Sequence, residues 1–118
     1  MGYAKHILVL TTKIYAPDDD TPPLVAWLES LDEKIRYRVK ERLNRLRVGN
    51  FGDSKALKEG VFELRCHFGA GYRIYYGIDQ GVVILLCGGD KDSQKKDIKM
   101  SKQFWKDYGA AHEIKKNY

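Results

Sequence analysis

The sequence predicts an α+β protein whose elements follow the order β-α-α-β-β-β-α, with helices on one side of an antiparallel sheet. Two observations support this class. Between residues 61 and 88, strand-like runs of β-branched and aromatic residues are interrupted by glycine-containing turns. Before and after this region, apolar residues recur every three or four positions, as on one face of a helix. Strands and helices that are separated along the chain in this way are typical of α+β folds.

A strand and a helical hairpin are predicted for the first part of the chain. Residues 7–15 are rich in β-branched residues and stop before Pro17, which predicts the first strand. Thr21 is expected to cap a short helix. Asp32 is expected to cap a second helix, which ends at Gly49. The apolar faces of the two helices are formed by Leu24, Trp27, Leu28 and Leu31, and by Ile35, Val39, Leu43 and Leu46.

Three strands are predicted for the next part of the chain. After a polar connection, they are expected near residues 61–68, 71–78 and 82–88, and Gly81 supplies a positive φ in the second hairpin turn. The third strand is apolar on both faces, so it should be central in the sheet and at least partly covered on each side.

A final helix is predicted at the end of the chain. Ser93 is expected to cap it, and the helix is expected to run to about Tyr108 and to end at Gly109. Residues 110–118 are then expected to form a mobile tail.

Length and composition describe one domain. The chain has 118 residues, of which 43% are apolar, which is enough for a single core within a domain of residues 1–118. Cys66 and Cys87 lie in apolar strand runs, where a buried reduced thiol is the usual state, and no signal peptide is recognisable. We therefore expect a cytoplasmic protein with no membrane role. The net charge of +5 favours an anionic partner.

Strand alternation brings polar side chains to one face of the predicted sheet. A lysine that follows the third strand after a Gly-Gly turn adds to them, and the set is Glu63, Arg65, His67, Arg73, Tyr75 and Lys91. Arginine offers paired donors to phosphate oxygens, and lysine offers a movable point charge. The spacing of histidines and cysteines fits no metal motif, and no cofactor-binding glycine motif is present. We predict a phosphodiester site without a metal or cofactor.

The second predicted helix is strongly basic around its apolar stripe. Its cations are Lys34, Arg36, Arg38, Lys40, Arg42, Arg45 and Arg47. Such a face either follows the backbone of a nucleic acid or only keeps the helix solvated. We assign RNA binding to Arg38, Arg42 and Arg45, together with Lys55 in the polar connection.

Several motifs resemble the toxin subunits of the RelE/ParE superfamily. They are W-L at 27–28, R-L-x-R-L at 42–46, G-N-F-G-D at 49–53, F-E-L-R at 62–65, G-x-G-Y-R-I-Y-Y at 69–76 and G-G-D-K-x-x-Q-x-x-D-I at 88–98. More narrowly, the chain resembles the HigB-like branch, the addiction-module killer proteins. The resemblance covers nearly the whole chain, and G-G-D-K-x-x-Q is its most specific block.

The resemblance implies a RelE-like fold and the toxin of a type II toxin–antitoxin system. Its activity would be metal-independent, ribosome-dependent cleavage of mRNA, which inhibits translation. Its partners would be the ribosome, mRNA and a cognate helix-turn-helix antitoxin that neutralises it. Basic strand residues of RelE-type toxins are matched here by Arg65 and Arg73, and Lys91 lies close to another basic position.

The resemblance does not supply a proton donor. RelE-type toxins use a tyrosine near the start of the last helix, whereas residues 94–100 contain none. The candidates are His67, Tyr75 and Asp90, and of these the histidine titrates near neutral pH.

Two other functions stay open. A protein of this fold could poison a topoisomerase without catalysis, as the ParE branch is thought to do, or it could act only with its antitoxin as a co-repressor on operator DNA. Arg65 could likewise form only a structural salt bridge with Glu63 or Asp90. The concentration of Arg65, Arg73 and Lys91 favours phosphate chemistry.

Overall fold

The computed structural model describes residues 11–17 and 20–116 of the chain. Its elements are β1 (Thr12–Ile14), α1 (Pro23–Ser30), α2 (Glu33–Arg47), β2 (Ser54–Ala56), β3 (Phe62–Arg65), β4 (Arg73–Asp79), β5 (Val82–Gly89) and α3 (Gln94–Lys116). Helices and a five-stranded sheet confirm the α+β class. Residues 7–10 of the first predicted strand lie outside the described residues.

The sheet is mixed, so the prediction of a wholly antiparallel sheet was wrong for one pair of strands. The strand order is β1-β5-β4-β3-β2, and β1 is parallel to β5 while the other neighbours are antiparallel. The chain passes through the α1–α2 hairpin after β1, so no tight turn forces β1 to be antiparallel to its neighbour.

Strand β2 was not predicted. Its three residues, S-K-A, are too few to show an alternating apolar pattern. It forms by pairing with β3, in a register that places Ser54 opposite Leu64 and Ala56 opposite Phe62.

Helices cover both faces of the sheet, so the prediction that they lie on one side was wrong. Helices α1 and α2 pack on one face, where the buried residues are Leu24, Leu28, Val39, Leu46, Leu64, Cys66, Ile74, Tyr76, Val83 and Leu85. Helix α3 packs on the other face through Ile98, Phe104, Trp105 and Tyr108, against Val61, Tyr75, Ile84, Leu86 and Cys87. Because β5 is apolar on both faces, each face needs a cover, as its sequence indicated.

Two glycines allow tryptophan rings to pack directly on the strands. A Cβ atom at Gly88 would overlap the ring of Trp27 from α1, and one at Gly77 would overlap the ring of Trp105 from α3. Gly88, the first residue of the G-G-D-K-x-x-Q block, therefore serves the packing of α1.

The ends of the helical hairpin agree with the sequence in part. Asp32 caps α2 as predicted, and its Oδ2 accepts a hydrogen bond from the backbone N–H of Lys34 at 3.1 Å. Gly49, with φ of 87°, follows the end of α2 as predicted. Thr21 does not cap α1, because Pro22 is the N-cap and Pro23 is the first helical residue, whose missing N–H needs no acceptor.

Helix α3 starts directly after Ser93, as predicted, but it does not end near Tyr108. It continues through Gly109 to Lys116, since the sequence A-A-H-E-I-K-K after that glycine favours a helix. Among the described residues, no helix is both long and apolar enough to cross a membrane.

Both cysteines are buried free thiols, as their strand context predicted. Burial raises the pKa of Cys66 and raises that of Cys87 to about 12. A thiol that stays protonated is a poor nucleophile, so both act as apolar packing residues.

Candidate active site

The candidate site lies on the α3 face of the sheet, where β3 and β4 meet the first turn of α3. The antiparallel pairing places Arg65 opposite Arg73 and Glu63 opposite Tyr75, so the four side chains leave the same face. Lys55 of β2 stands opposite Glu63 and extends the row. Strand alternation had predicted that Arg65, Arg73 and Tyr75 belong together, and the register agrees.

Glu63 is the centre of this arrangement and is 0% exposed. Its Oε1 accepts a hydrogen bond from Arg65 Nε at 3.3 Å. Its Oε2 accepts hydrogen bonds from the Tyr75 hydroxyl at 3.1 Å and the Gln94 amide at 2.9 Å, and it lies 3.5 Å from Arg73 Nε. A buried carboxylate needs cations and hydrogen-bond donors, and these four groups supply both. We call Glu63, Arg65, Arg73, Tyr75 and Gln94 the Glu63 cluster.

Tyr75 lies inside the protein beneath this site and not on its surface. Its side chain is fully buried, and the pKa of the phenol is raised, first by burial and then by the adjacent Glu63 carboxylate. The expectation that Tyr75 lines an open polar face was wrong, because α3 covers that part of the sheet. Its hydroxyl holds Glu63 and keeps its proton.

Arg73 and Lys91 meet at Gly71. The Arg73 side chain is 14% exposed, and its Nη1 donates to the Gly71 carbonyl at 2.7 Å. A Cβ atom on Gly71 would lie 3.3 Å from both Arg73 Nη1 and Lys91 Cβ, so the two cationic residues flank one glycine. The N–H of Lys91 donates to the Ala70 carbonyl at 3.2 Å, which ties the β3–β4 turn to the start of α3.

Arg65, His67 and Arg73 line one depression of about 440 Å³ at the end of the β3–β4 hairpin. The His67 side chain is 72% exposed, and its Nε2 lies 2.5 Å from Oδ2 of Asp53. Because a carboxylate occupies one ring nitrogen, Nδ1 is left for solvent or a ligand. A larger cavity, of about 560 Å³, lies between β1 and the later part of α3 and contains none of these cations.

Two residues of the G-G-D-K-x-x-Q-x-x-D-I block fix the first turn of α3 on the sheet. Gly89 lacks a Cβ atom that would overlap the carboxylate of Asp97. Asp97, which is buried, accepts a hydrogen bond from the Ser93 hydroxyl at 2.5 Å. The close approach positions Lys91 and Gln94 next to the arginines.

Asp90, one candidate proton donor, belongs to the same turn. Its Oδ1 accepts hydrogen bonds from the backbone N–H groups of residues 92 and 93 at 2.9 and 3.1 Å. These contacts assign the Asp90 carboxylate to the turn that begins α3.

The basic residues assigned to RNA binding on α2 differ in exposure. Arg38 and Arg45 are exposed, and the guanidinium carbon of Arg38 lies 4.1 Å from the ring centroid of Phe68, which also lines the depression. Arg42 is only 6% exposed, and it donates to the carbonyls of residues 50 and 51 at 3.1 and 2.6 Å. The predicted position of Arg42 on the solvent face was wrong, because the loop after α2 folds over it. Lys55 is exposed as expected.

Sequence reasoning missed two partners of the site residues. Asp53 ends the G-N-F-G-D motif, and Gln94 ends the G-G-D-K-x-x-Q motif. Each is a polar residue in a motif whose glycines explain only the turns. Their presence in these motifs was the sequence signal for a role. The contacts of Asp53 with His67 and of Gln94 with Glu63, however, depend on where β2 and α3 pack, which the sequence does not show.

Comparison with known proteins identifies the family. The family model described as "Phage derived protein Gp49-like (DUF891)" matches residues 26–104, which include every candidate site residue. The chain belongs to the Gp49-like family. This is a toxin-like family related to the RelE/ParE type II toxins. No solved structure matches the chain.

A relative of this Gp49-like chain is an uncharacterized protein of Haemophilus influenzae. The two are 46% identical over 86 residues, which cover 71% of this chain and 87% of the relative. The relative therefore indicates that the two proteins share a domain, but its description gives no activity.

Proposed function

We propose that the chain is a HigB-like toxin of a type II toxin–antitoxin system, which cleaves mRNA on the ribosome in the cytoplasm. Membership of a toxin-like family supports the toxin role and an antitoxin partner. The observation that best supports phosphodiester chemistry is the position of Arg65 and Arg73 at one depression, with Lys91 beside Arg73. A buried carboxylate fixes both arginines, which is the preorganisation that stabilisation of a charged transition state requires.

The proposed reaction uses the RNA's own 2′-oxygen as the nucleophile. The 2′-hydroxyl releases its proton to solvent as its oxygen attacks the adjacent phosphorus. The bond to the 5′-oxygen breaks and that oxygen takes up a proton from a general acid, which leaves a 2′,3′-cyclic phosphate and a 5′-hydroxyl. Arg65 and Arg73 would donate to the non-bridging oxygens, and Lys91 would add a mobile charge as negative charge builds up. The protein's cations thus supply the electrostatic stabilisation.

We assign proton transfer to His67. It lines the same depression as the arginines and is held through Nε2 by Asp53, so Nδ1 is the atom that can exchange a proton with RNA. The other two candidates are less suitable, since Tyr75 is buried and Asp90 binds its own turn.

Three exposed cations would bind the RNA backbone. Arg38, Arg45 and Lys55 are exposed, and Phe68 connects Arg38 to the depression. Arginine and lysine on such a surface gain affinity by displacing counterions from phosphates. We assign these three residues to ribosomal RNA and mRNA, and a helix-turn-helix antitoxin is the expected inhibitor.

Induction of the chain alone, followed by primer extension on cellular mRNA, tests the proposal. We expect growth arrest with new mRNA 5′ ends inside coding regions. If the adjacent gene encodes a small helix-turn-helix protein, its co-expression should restore growth. Intact mRNA together with double-strand DNA breaks would instead identify a topoisomerase poison. Intact mRNA and DNA in cells that grow normally would leave only the co-repressor role.

A further inference from the structure

The Glu63 carboxylate combines full burial with several contacts from side chains at the depression. It is 0% exposed, and its two oxygens meet Arg65, Arg73, Tyr75 and Gln94 at distances between 2.9 and 3.5 Å. An ion taken out of water is costly unless its partners repay that cost. The four partners come from two strands and a helix and contact the same carboxylate. Each of them must therefore keep a defined position.

This geometry excludes Glu63 as the group that takes a proton from RNA. Both carboxylate oxygens already have partners, and no part of the side chain reaches solvent. The raised pKa of Tyr75 keeps a phenolic proton directed at Oε2, so the carboxylate accepts hydrogen bonds from neutral and cationic donors alike.

The contacts also determine which atoms of the arginines stay available. Glu63 meets both guanidinium groups at Nε, with a hydrogen bond from Arg65 at 3.3 Å and an ion-pair contact with Arg73 at 3.5 Å. The buried Nε of Arg73 has no hydrogen-bond partner among the described residues, so this ion pair is what holds it. The terminal nitrogens of Arg65 make no hydrogen bond within residues 11–17 and 20–116, and its side chain is 35% exposed. Restraint at Nε therefore leaves the terminal N–H groups of Arg65 at the depression for phosphate oxygens, together with those of Arg73 that do not donate to the Gly71 carbonyl.

We propose that Glu63 is a positioning residue for cleavage, which orients Arg65 and Arg73 through their Nε atoms so that their terminal nitrogens meet the scissile phosphate together. Tyr75 and Gln94 complete the arrangement by holding Oε2. The inference rests on the proposed ribonuclease function.

The test is Glu63→Gln, which keeps the side-chain volume and removes the charge. Single-turnover cleavage of mRNA on programmed ribosomes should slow by about 10²-fold, the usual cost of misplaced catalytic groups, while the half-saturating concentration stays within about threefold. The matched control is Glu59→Gln, since Glu59 is an exposed glutamate that pairs only with Lys102 and Lys106 among the described residues. It should cleave like the wild type.

A spectroscopic measurement separates positioning from general stability. In the wild type, the Nε–H resonances of Arg65 and Arg73 should be slow to exchange with water, and both should be lost in Glu63→Gln but kept in Glu59→Gln. Wild-type cleavage and unchanged Nε–H exchange in Glu63→Gln would overturn the proposal.

Two milder variants keep the test decisive if Glu63→Gln fails to fold. Tyr75→Phe and Gln94→Ala each remove one neutral donor to Oε2, and each should slow cleavage by about two- to tenfold, the value of one hydrogen bond. Unchanged cleavage in both would overturn the proposal. If the wild type cleaves no RNA, the proposed function fails, and Nε–H exchange in the Tyr75→Phe and Gln94→Ala proteins alone decides whether the carboxylate orients the arginines.

Discussion

The two faces of the sheet bury different chemistry, although the same strands form both. Under α1 and α2 the buried residues are apolar across β3, β4 and β5. Under α3 they are apolar only beneath the body of the helix, where Trp105 covers Gly77. In front of the first turn of α3, the same face holds Glu63, Arg65 and Arg73.

The difference shows how a small domain can hold ionised groups rigidly. One face of each strand packs in the apolar core, and this packing restrains the strand backbone. Residues on the other face, such as Arg65 and Arg73, are therefore attached to a rigid backbone. Helix α3 begins beside them and adds Gln94 to the carboxylate. We therefore expect the α1–α2 side to supply stability and the start of α3 to complete the candidate site.

The largest effect is expected for His67→Ala, which removes the proposed proton-transfer group next to the polar part of the α3 face. Cleavage should slow by about 10²–10⁴-fold, the usual range for such a group. Single-turnover cleavage of mRNA on programmed ribosomes measures this loss. His112→Ala is the matched control, because His112 stacks on Tyr108 at the other part of α3.

Asp53→Asn sharpens this prediction, because it removes the carboxylate charge that holds Nε2 of His67. We expect a smaller loss than for His67→Ala, with folding unchanged. Full activity of His67→Ala would assign proton transfer elsewhere and leave the Asp53–His67 pair as a surface contact.

The second effect is expected for Arg73→Lys, which keeps the charge but loses the planar set of donors. Cleavage should slow by about 10²-fold, since one preorganised donor to the transition state is lost. Arg36→Lys is the control on the other side of the sheet, because Arg36 donates to the carbonyls of Leu28 and Leu31 at 3.0 and 3.1 Å. It should lower thermal stability and leave the cleavage rate of folded protein unchanged. If Arg73→Lys and Arg36→Lys slowed cleavage equally, the α1–α2 face would contribute to cleavage as much as the α3 face does.

The sequence predicted those parts of the fold that depend on local pattern. Alternation placed Arg65 and Arg73 on one face, and Asp32 was recognised as a cap, because each follows from neighbouring residues alone. Alternation could not show that α3 covers Tyr75, since coverage depends on where a distant helix packs. The partner of His67 lies fourteen positions away at Asp53, and only the pairing of β2 with β3 brings them together.

The third prediction compares two arginines on α2 that have the same chemistry and different surroundings. Arg42→Ala should lower the free energy of unfolding by about 1.5–3 kcal/mol, because it removes a buried, charged donor to the carbonyls of residues 50 and 51. Arg45→Ala should change it by less than about 0.5 kcal/mol, since the side chain is exposed.

Ribosome binding should follow the opposite order. Arg45→Ala should reduce the slope of ribosome affinity against salt concentration by about one, the value of one lost phosphate contact. Denaturant melts and co-sedimentation across a salt titration measure the two quantities. An unchanged salt slope would assign the exposed face of α2 to solvation alone.

The smallest effect is expected at Gly109, and its sign distinguishes the observed α3 from a helix that ends there. Gly109 lies inside α3, has no left-handed φ and would place a Cβ atom in open space. Gly109→Ala should therefore raise the free energy of unfolding by about 0.5–1 kcal/mol, because alanine loses less backbone entropy in a helix. Gly81→Ala is the matched control: its Cβ atom also meets open space, but its φ of 81° strains alanine, so it should destabilise the protein. A destabilising Gly109→Ala in thermal melts would mean that the glycine ends the helix, and that residues 110–116 add nothing to the cover of the α3 face.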